Sequence, residues 1–119
     1  MGNQILLVDD DVELLDAFKD SLEIRGYDVI TAINGMDAFE MFQKNQPCIT
    51  FMDIKMPKMD GYTSFSKIKG MYNDAKVVFV SGQQNIEKSE IAKNNGIIEI
   101  FEKPVSSEKI VKTIQENGC

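Results

Sequence analysis

Five short apolar runs rich in β-branched residues recur along this chain, at residues 5–8, 29–31, 49–52, 77–80 and 97–101. Segments of helix length separate them. Runs of this kind alternating with helical segments predict successive βα units on a parallel sheet. Their near-continuous apolar character, in place of strict alternation, is what strands covered by helices on both faces require. The chain therefore reads as one α/β domain of (βα)5 type over residues 1–119. Right-handed crossovers leave few topologies open to it.

The helical segments carry their own signals. Leu14, Leu15, Phe18 and Leu22 form one stripe, with Asp10 or Asp11 as N-cap and Gly26 just past the end. Asn34-Gly35 marks a turn, after which Ala38, Phe39 and Phe42 face inward until Asn45-Gln46-Pro47 stops the helix. Phe65 and Ile68 anchor a shorter third helix that Gly70 is expected to limit. The fourth, roughly 86–95, is polar, with Ile86, Ile91 and Ala92 as its apolar members. The last follows Ser106-Ser107 and buries Ile110, Val111 and Ile114.

Composition excludes several functions. A hydrophobic content of 43% suffices for one core. A net charge of −6, a single arginine (Arg25) and the lack of any basic run argue against direct nucleic-acid binding. No stretch approaches the length of a membrane span, and acidic residues follow the first apolar run at once, so no signal peptide is expected. A cytoplasmic location follows, and Cys48 and Cys119, far apart in sequence, are expected as free thiols. Histidine is absent, which removes any histidine base, Ser-His-Asp triad or imidazole metal site.

The chemistry gathers at the ends of the runs. Asp9-Asp10 closes the first, Asp53 the third, Ser81-Gly82 the fourth and Lys103-Pro104 the fifth. Open α/β sheets bind ligands at the carboxyl ends of their strands. Each feature has an ordinary reading alone. An Asp pair caps helices, Ser-Gly turns the chain, Lys-Pro is a loop, and Asp60-Gly61 is turn chemistry. Together, and with Asp53 opening Asp-x-x-Met-Pro-x-Met-Asp-Gly, the chain resembles the phosphoacceptor receiver domain of two-component response regulators, of the single-domain chemotaxis-regulator type. The resemblance runs from end to end.

That resemblance implies a doubly wound, flavodoxin-like fold: a five-stranded parallel sheet of order 2-1-3-4-5, with helices on both faces. Asp9, Asp10 and Asp53 then meet where the strand order reverses. It implies Asp53 as the phosphoacceptor and Lys103 as its partner before and after transfer. Ser81 becomes the hydroxyl donor to the phosphoryl group, with Gly82 leaving it room. Asp9, Asp10, Asp53 and the backbone carbonyl of Lys55 would hold Mg²⁺, for which Mn²⁺ can substitute. Three carboxylates in one place raise at least one pKa unless a metal is bound, and Mg²⁺ favours such oxygen ligands. Lys103–Pro104 is expected cis. The donor would be a histidine kinase or histidine phosphotransfer protein. The output partner would dock on the fourth helix, fifth strand and fifth helix. Lys55 and Gln83 flank the water approach and would modulate the phosphoryl lifetime. One departure bears on switching. Receivers often carry Tyr or Phe three residues before the lysine, and this chain has Ile100, so the expected switch pair is Ser81 with Ile100. Phe101 alternates to the opposite face.

Three other readings compete. The domain can be a receiver fragment of a longer multidomain regulator. A metal-dependent phosphatase forming an aspartyl phosphate needs a second acid two residues after the nucleophile, where this chain has Lys55. An FMN-binding flavodoxin needs a Ser, Thr and Gly-rich loop after the first strand, where Asp9-Asp10-Asp11 would repel phosphate. A receiver is not expected to turn over external substrates.

Overall fold

A computed structural model describes residues 4–83 and 85–119. The elements alternate without exception: β1 (Gln4–Val8), α1 (Val12–Ile24), β2 (Asp28–Ala32), α2 (Gly35–Asn45), β3 (Ile49–Met52), α3 (Gly61–Met71), β4 (Val77–Ser81), α4 (Ile86–Asn94), β5 (Glu99–Glu102) and α5 (Ser107–Glu116). All pairings are parallel, and the sheet order is β2-β1-β3-β4-β5, as expected.

Side-chain alternation divides the core into two layers. Leu6, Val8, Met52, Val77 and Phe79 pack with Ala38, Phe42, Phe65, Ile68 and Ala92, so α2, α3 and α4 cover one face. Ile5, Leu7, Ile49, Phe51, Val78 and Val80 pack with Leu15, Leu22, Ile110 and Ile114, so α1 and α5 cover the other. Ile100 joins the first layer and Phe101 the second. Every residue of β3 and β4 is buried, which is why those runs are unbroken in sequence. The edge strands β2 and β5 include exposed residues, Asp28, Glu99 and Glu102.

Each helix starts on a side-chain cap. Asp11, and not Asp10, accepts the Leu14 N–H at 3.2 Å. Asn34, Asp60, Asn85 and Ser106 do the same for α2, α3, α4 and α5. Gly26 follows α1 at φ 93°, and Gln46, left-handed at φ 44°, ends α2 before Pro47.

Three expectations need correction. Gly70 does not limit α3, which continues to Met71 before Tyr72 caps it. The helix runs on through Gly70, and Ile68, two residues before it, is fully buried in the core. The fifth strand begins at Glu99, not at residue 97. Gly96 takes φ 99° and the Ile97 N–H donates to Ala92 O at 3.0 Å, so Ile97 closes the end of α4 as a buried plug. The apolar residues of α4 mostly miss the core. Ile86 and Ile91 are 80% and 55% exposed, and α4 instead buries Ser89 and Ala92.

The third concerns the cysteines. Cys48 and Cys119 form a disulfide with Cα atoms 6.0 Å apart. Separation in sequence hid this pairing. Beyond α5 the Cys119 N–H turns back to Ile114 O at 3.1 Å, which brings Cys119 beside the start of β3. No helix among the described residues is long and apolar enough to cross a membrane.

Candidate functional site

Parallel register builds the site. Val8 pairs with Met52, so Asp9 and Asp53 leave their strands side by side. The Asp53 N–H extends the ladder to Val8 O at 2.9 Å, and the Asp9 N–H reaches Ala32 O at 3.1 Å. Ser81 pairs with Glu102, which delivers Lys103 next, its N–H on Ser81 O at 3.0 Å. Lys103–Pro104 is cis, as expected. Asp9, Asp53, Ser81 and Lys103 thus converge from the ends of four strands.

Lys103 Nζ lies 2.6 Å from Asp9 Oδ2 and 3.1 Å from Asp53 Oδ2. The sequence reading paired Lys103 with Asp53. The structure adds Asp9 as the shorter contact. Asp9 is also tied down by the Asp11 N–H, which donates to its Oδ1 at 2.9 Å. Asp9 and Asp53 are buried, while Asp10 is exposed at their rim. Carboxylate oxygens of all three lie within 4.8 Å of one another. Against the single Lys103 ammonium, this leaves the cluster with two negative charges in excess.

The electrostatics follow from burial and neighbours. Burial first, and the Asp9 carboxylate second, push the Asp53 carboxyl above its ordinary value, against the hydrogen bond and charge of Lys103. Burial pulls the Lys103 ammonium down, but its hydrogen bonds to Asp9 and Asp53 outweigh that and hold it above the ordinary lysine value. A hard cation fits what remains. Oxygen donors in excess negative charge, with an exposed rim for retained water, suit Mg²⁺ better than a soft or imidazole-seeking metal.

Other expected residues sit around this cluster. Ser81 is buried and its hydroxyl donates to Gln83 O at 2.6 Å, so it is not engaged with Asp53. The space where a Gly82 side chain would stand is open. Lys55 and Gln83 are exposed. Ile100 is half-buried, in register with Phe79.

The loop after Asp53 depends on a residue first read only as a turn signal. A Cβ on Gly61 would stand 2.4 Å from Asp53 O and 2.8 Å from Ile54 Cα, so only glycine lets α3 begin there. The Gly61 N–H donates to Ile54 O at 2.7 Å and closes the loop. Asp60 caps α3 through the Thr63 N–H at 2.8 Å, in agreement with its turn reading. Tyr62 carried no signal in the sequence, yet its hydroxyl bridges α3 to the start of α4.

Comparison with known proteins agrees with this geometry. Residues 5–115 match the family model described as "Response regulator receiver domain". The chain is 32% identical to the chemotaxis protein CheY of Bacillus subtilis, over 98% of both chains. It is 27% identical to the transcriptional regulatory protein PrrA of Mycobacterium tuberculosis, but spans only 48% of that protein's length. A CheY-like receiver domain structure from Methanospirillum hungatei superposes with a TM-score of 0.89 at 30% identity, covering 98% of this chain and 97% of the other. Chemotaxis protein CheY4 of Vibrio cholerae gives a TM-score of 0.87 at 25% identity over 98% of both chains.

Proposed function

The chain belongs to the response regulator receiver domain family, and from that premise we propose that it accepts a phosphoryl group on Asp53 and thereby switches its binding to a protein partner. The observation that carries this reading is the buried Asp53 carboxylate at the end of β3, with Lys103 Nζ 3.1 Å away and two more carboxylates beside it. The donor, in keeping with membership of this family, is a phosphohistidine of a histidine kinase or histidine phosphotransfer protein, and with no histidine in this chain it must lie on a partner.

In the transfer, an Asp53 carboxylate oxygen attacks phosphorus. The P–N bond breaks and its electron pair returns to the donor imidazole, which takes up a proton. Lys103 holds the Asp53 carboxylate in place beforehand and afterwards offers its N–H donors to the phosphoryl oxygens. Ser81 must exchange its bond to Gln83 O for one to the phosphoryl group, into the open space beside Gly82. Asp9, Asp10, Asp53 and the Lys55 carbonyl would hold Mg²⁺, or Mn²⁺ in its place. Bound there, the cation neutralises phosphoryl oxygens and orients attack. Lys55 and Gln83, both exposed, tune how water reaches the acyl phosphate. The output surface comprises α4, β5 and α5, with Ser81 and Ile100 as its switch pair. The protein works by partner binding and not by turnover of external substrates.

Residues 1–119 act as one receiver unit. The chain spans 98% of the length of CheY and 48% of that of PrrA, so the same unit matches both a single-domain receiver and one joined to an output domain. Asp10 separates the metal from the rest of the site because it is exposed and holds no partner role in the Lys103 pairs. Asp10→Ala should weaken Mg²⁺ binding about tenfold or more in a calorimetric titration. Unchanged affinity would place the metal elsewhere.

A further inference from the structure

One polar cluster between α3 and α4 has no part in the scheme above. Tyr62, the second residue of α3, reaches across to the start of α4. Its hydroxyl accepts the Asn85 N–H at 3.0 Å, lies 2.7 Å from Ser89 Oγ and donates to Asn85 O at 3.2 Å. A phenol has one proton and two acceptor sites, so with Ser89 donating its full capacity is engaged. Ser89 is 3% exposed, which makes this a built contact and not a surface coincidence. Asn85 is also the cap of α4, its side chain accepting the Lys88 N–H at 2.9 Å. Tyr62 therefore grips the cap itself.

The ring is placed as deliberately as the hydroxyl. It stands edge-on to Phe79, with centroids 5.3 Å apart and planes at 82°. Phe79 is the register partner of Ile100, and Tyr62 and Ile100 pack on the same core layer. Gln83, two residues before Asn85, is held by the other hydroxyl, Ser81. The chain between β4 and α4 is thus pinned by Ser81 on one side and Tyr62 on the other. Ser81 cannot donate to Gln83 O and to a phosphoryl group at once, so phosphorylation frees the first pin and leaves the second.

We infer that the Tyr62 hydroxyl is a latch that holds α4 in its resting position and sets how far α4 follows when Ser81 turns to Asp53. Tyr62 is a positioning residue, acting through Asn85 and Ser89, and its phosphoryl-dependent part rests on the receiver reading. Within α4 only Ser89 and Ala92 are buried, and the plug at Ile97 holds its far end, so the start of the helix relies on Tyr62.

Tyr62→Phe keeps the ring on Phe79 and removes only the hydroxyl. Amide hydrogen exchange of the Mg²⁺-loaded full chain, with and without acetyl phosphate, reads the latch. Intact mass of the same samples reads Asp53 occupancy. Without acetyl phosphate, exchange at Asn85, Lys88 and Ser89 should accelerate about two- to tenfold in the variant, the scale of one lost hydrogen bond. Exchange in α1 and α2 should not change. Acetyl phosphate should then add a smaller change in α4 than in wild type. Asp53 should also phosphorylate faster, because the moved state is already populated. Ser89→Ala should give a weaker version of the same effect and add nothing to Tyr62→Phe. Unaltered exchange in resting Tyr62→Phe, a phosphoryl response of full wild-type size, or additive effects of the two substitutions would each overturn the latch. If the wild type takes up no phosphoryl group, the receiver reading fails, while the arm without acetyl phosphate still decides the latch.

Discussion

Asp53 ionises against its surroundings. Burial and the adjacent Asp9 carboxylate favour its protonated form, and Lys103 only partly compensates. An acid that binds its proton more tightly when folded stabilises the fold below its ordinary pKa of 3.8, and that contribution is lost as pH rises through the raised folded value. In metal-free buffer, wild-type stability should therefore fall with rising pH across that window. Asp53→Asn should flatten this dependence and leave the protein more stable than wild type at neutral pH, as urea unfolding at several pH values can measure. The groups facing Asp53 are Asp9, Asp10 and Lys103, so the amide relieves a repulsion while Lys103 keeps its 2.6 Å contact to Asp9. A variant less stable than wild type at neutral pH would mean that the Lys103 pair outweighs burial. Lys103 adds no competing slope near neutrality, because its raised pKa yields stability that disappears only above the ordinary lysine value of 10.5.

The elements differ in how much of them could be read in advance. β3 and β4 are buried on both faces, so their runs appear in sequence at full length. Edge strand β5 borrows Ile97 for the end of α4, and local apolar content cannot reveal that exchange. The inward face of α4 carries little local signal for a related reason. Its buried polar residue, Ser89, has its partner on α3, twenty-seven residues earlier. Asp9, Asp10, Asp53, Ser81 and Lys103 were legible because each stands at the end of an apolar run. Gly61 was not, since its role lies in a backbone contact. Gly61→Ala places a methyl 2.4 Å from Asp53 O, which neither backbone can vacate freely. A loss of about 1–3 kcal/mol is expected in thermal or urea unfolding. Under the proposed function, phosphorylation of Asp53 should slow as well, because the displaced carbonyl is that of Asp53 itself. A Gly61→Ala variant with wild-type stability would show that α3 starts less tightly than the geometry demands.

At the scale of the molecule, chemistry and covalent constraint lie at opposite ends of the sheet. The carboxylates stand at the carboxyl ends of β1 and β3, while the Cys48–Cys119 bond ties the end of the chain to the start of β3. Closing a loop of 71 residues constrains the unfolded chain, so Cys119→Ser should cost about 2–4 kcal/mol of stability. Its rate of phosphorylation should match the oxidised wild type, because the bond touches none of the site residues. A Cys119→Ser variant with altered phosphorylation would couple the two ends. The central claim, that Asp53 is the phosphoacceptor of a receiver, has one most direct test. Purified protein is incubated with acetyl phosphate and Mg²⁺, and intact mass with peptide mapping is recorded for wild type and Asp53→Asn. The account predicts one phosphoryl group per wild-type chain, mapped to Asp53 and lost on chelating the metal beforehand, with none on Asp53→Asn. Phosphorylation of Asp53→Asn at the wild-type rate, or a wild-type adduct mapped to another residue, would contradict it.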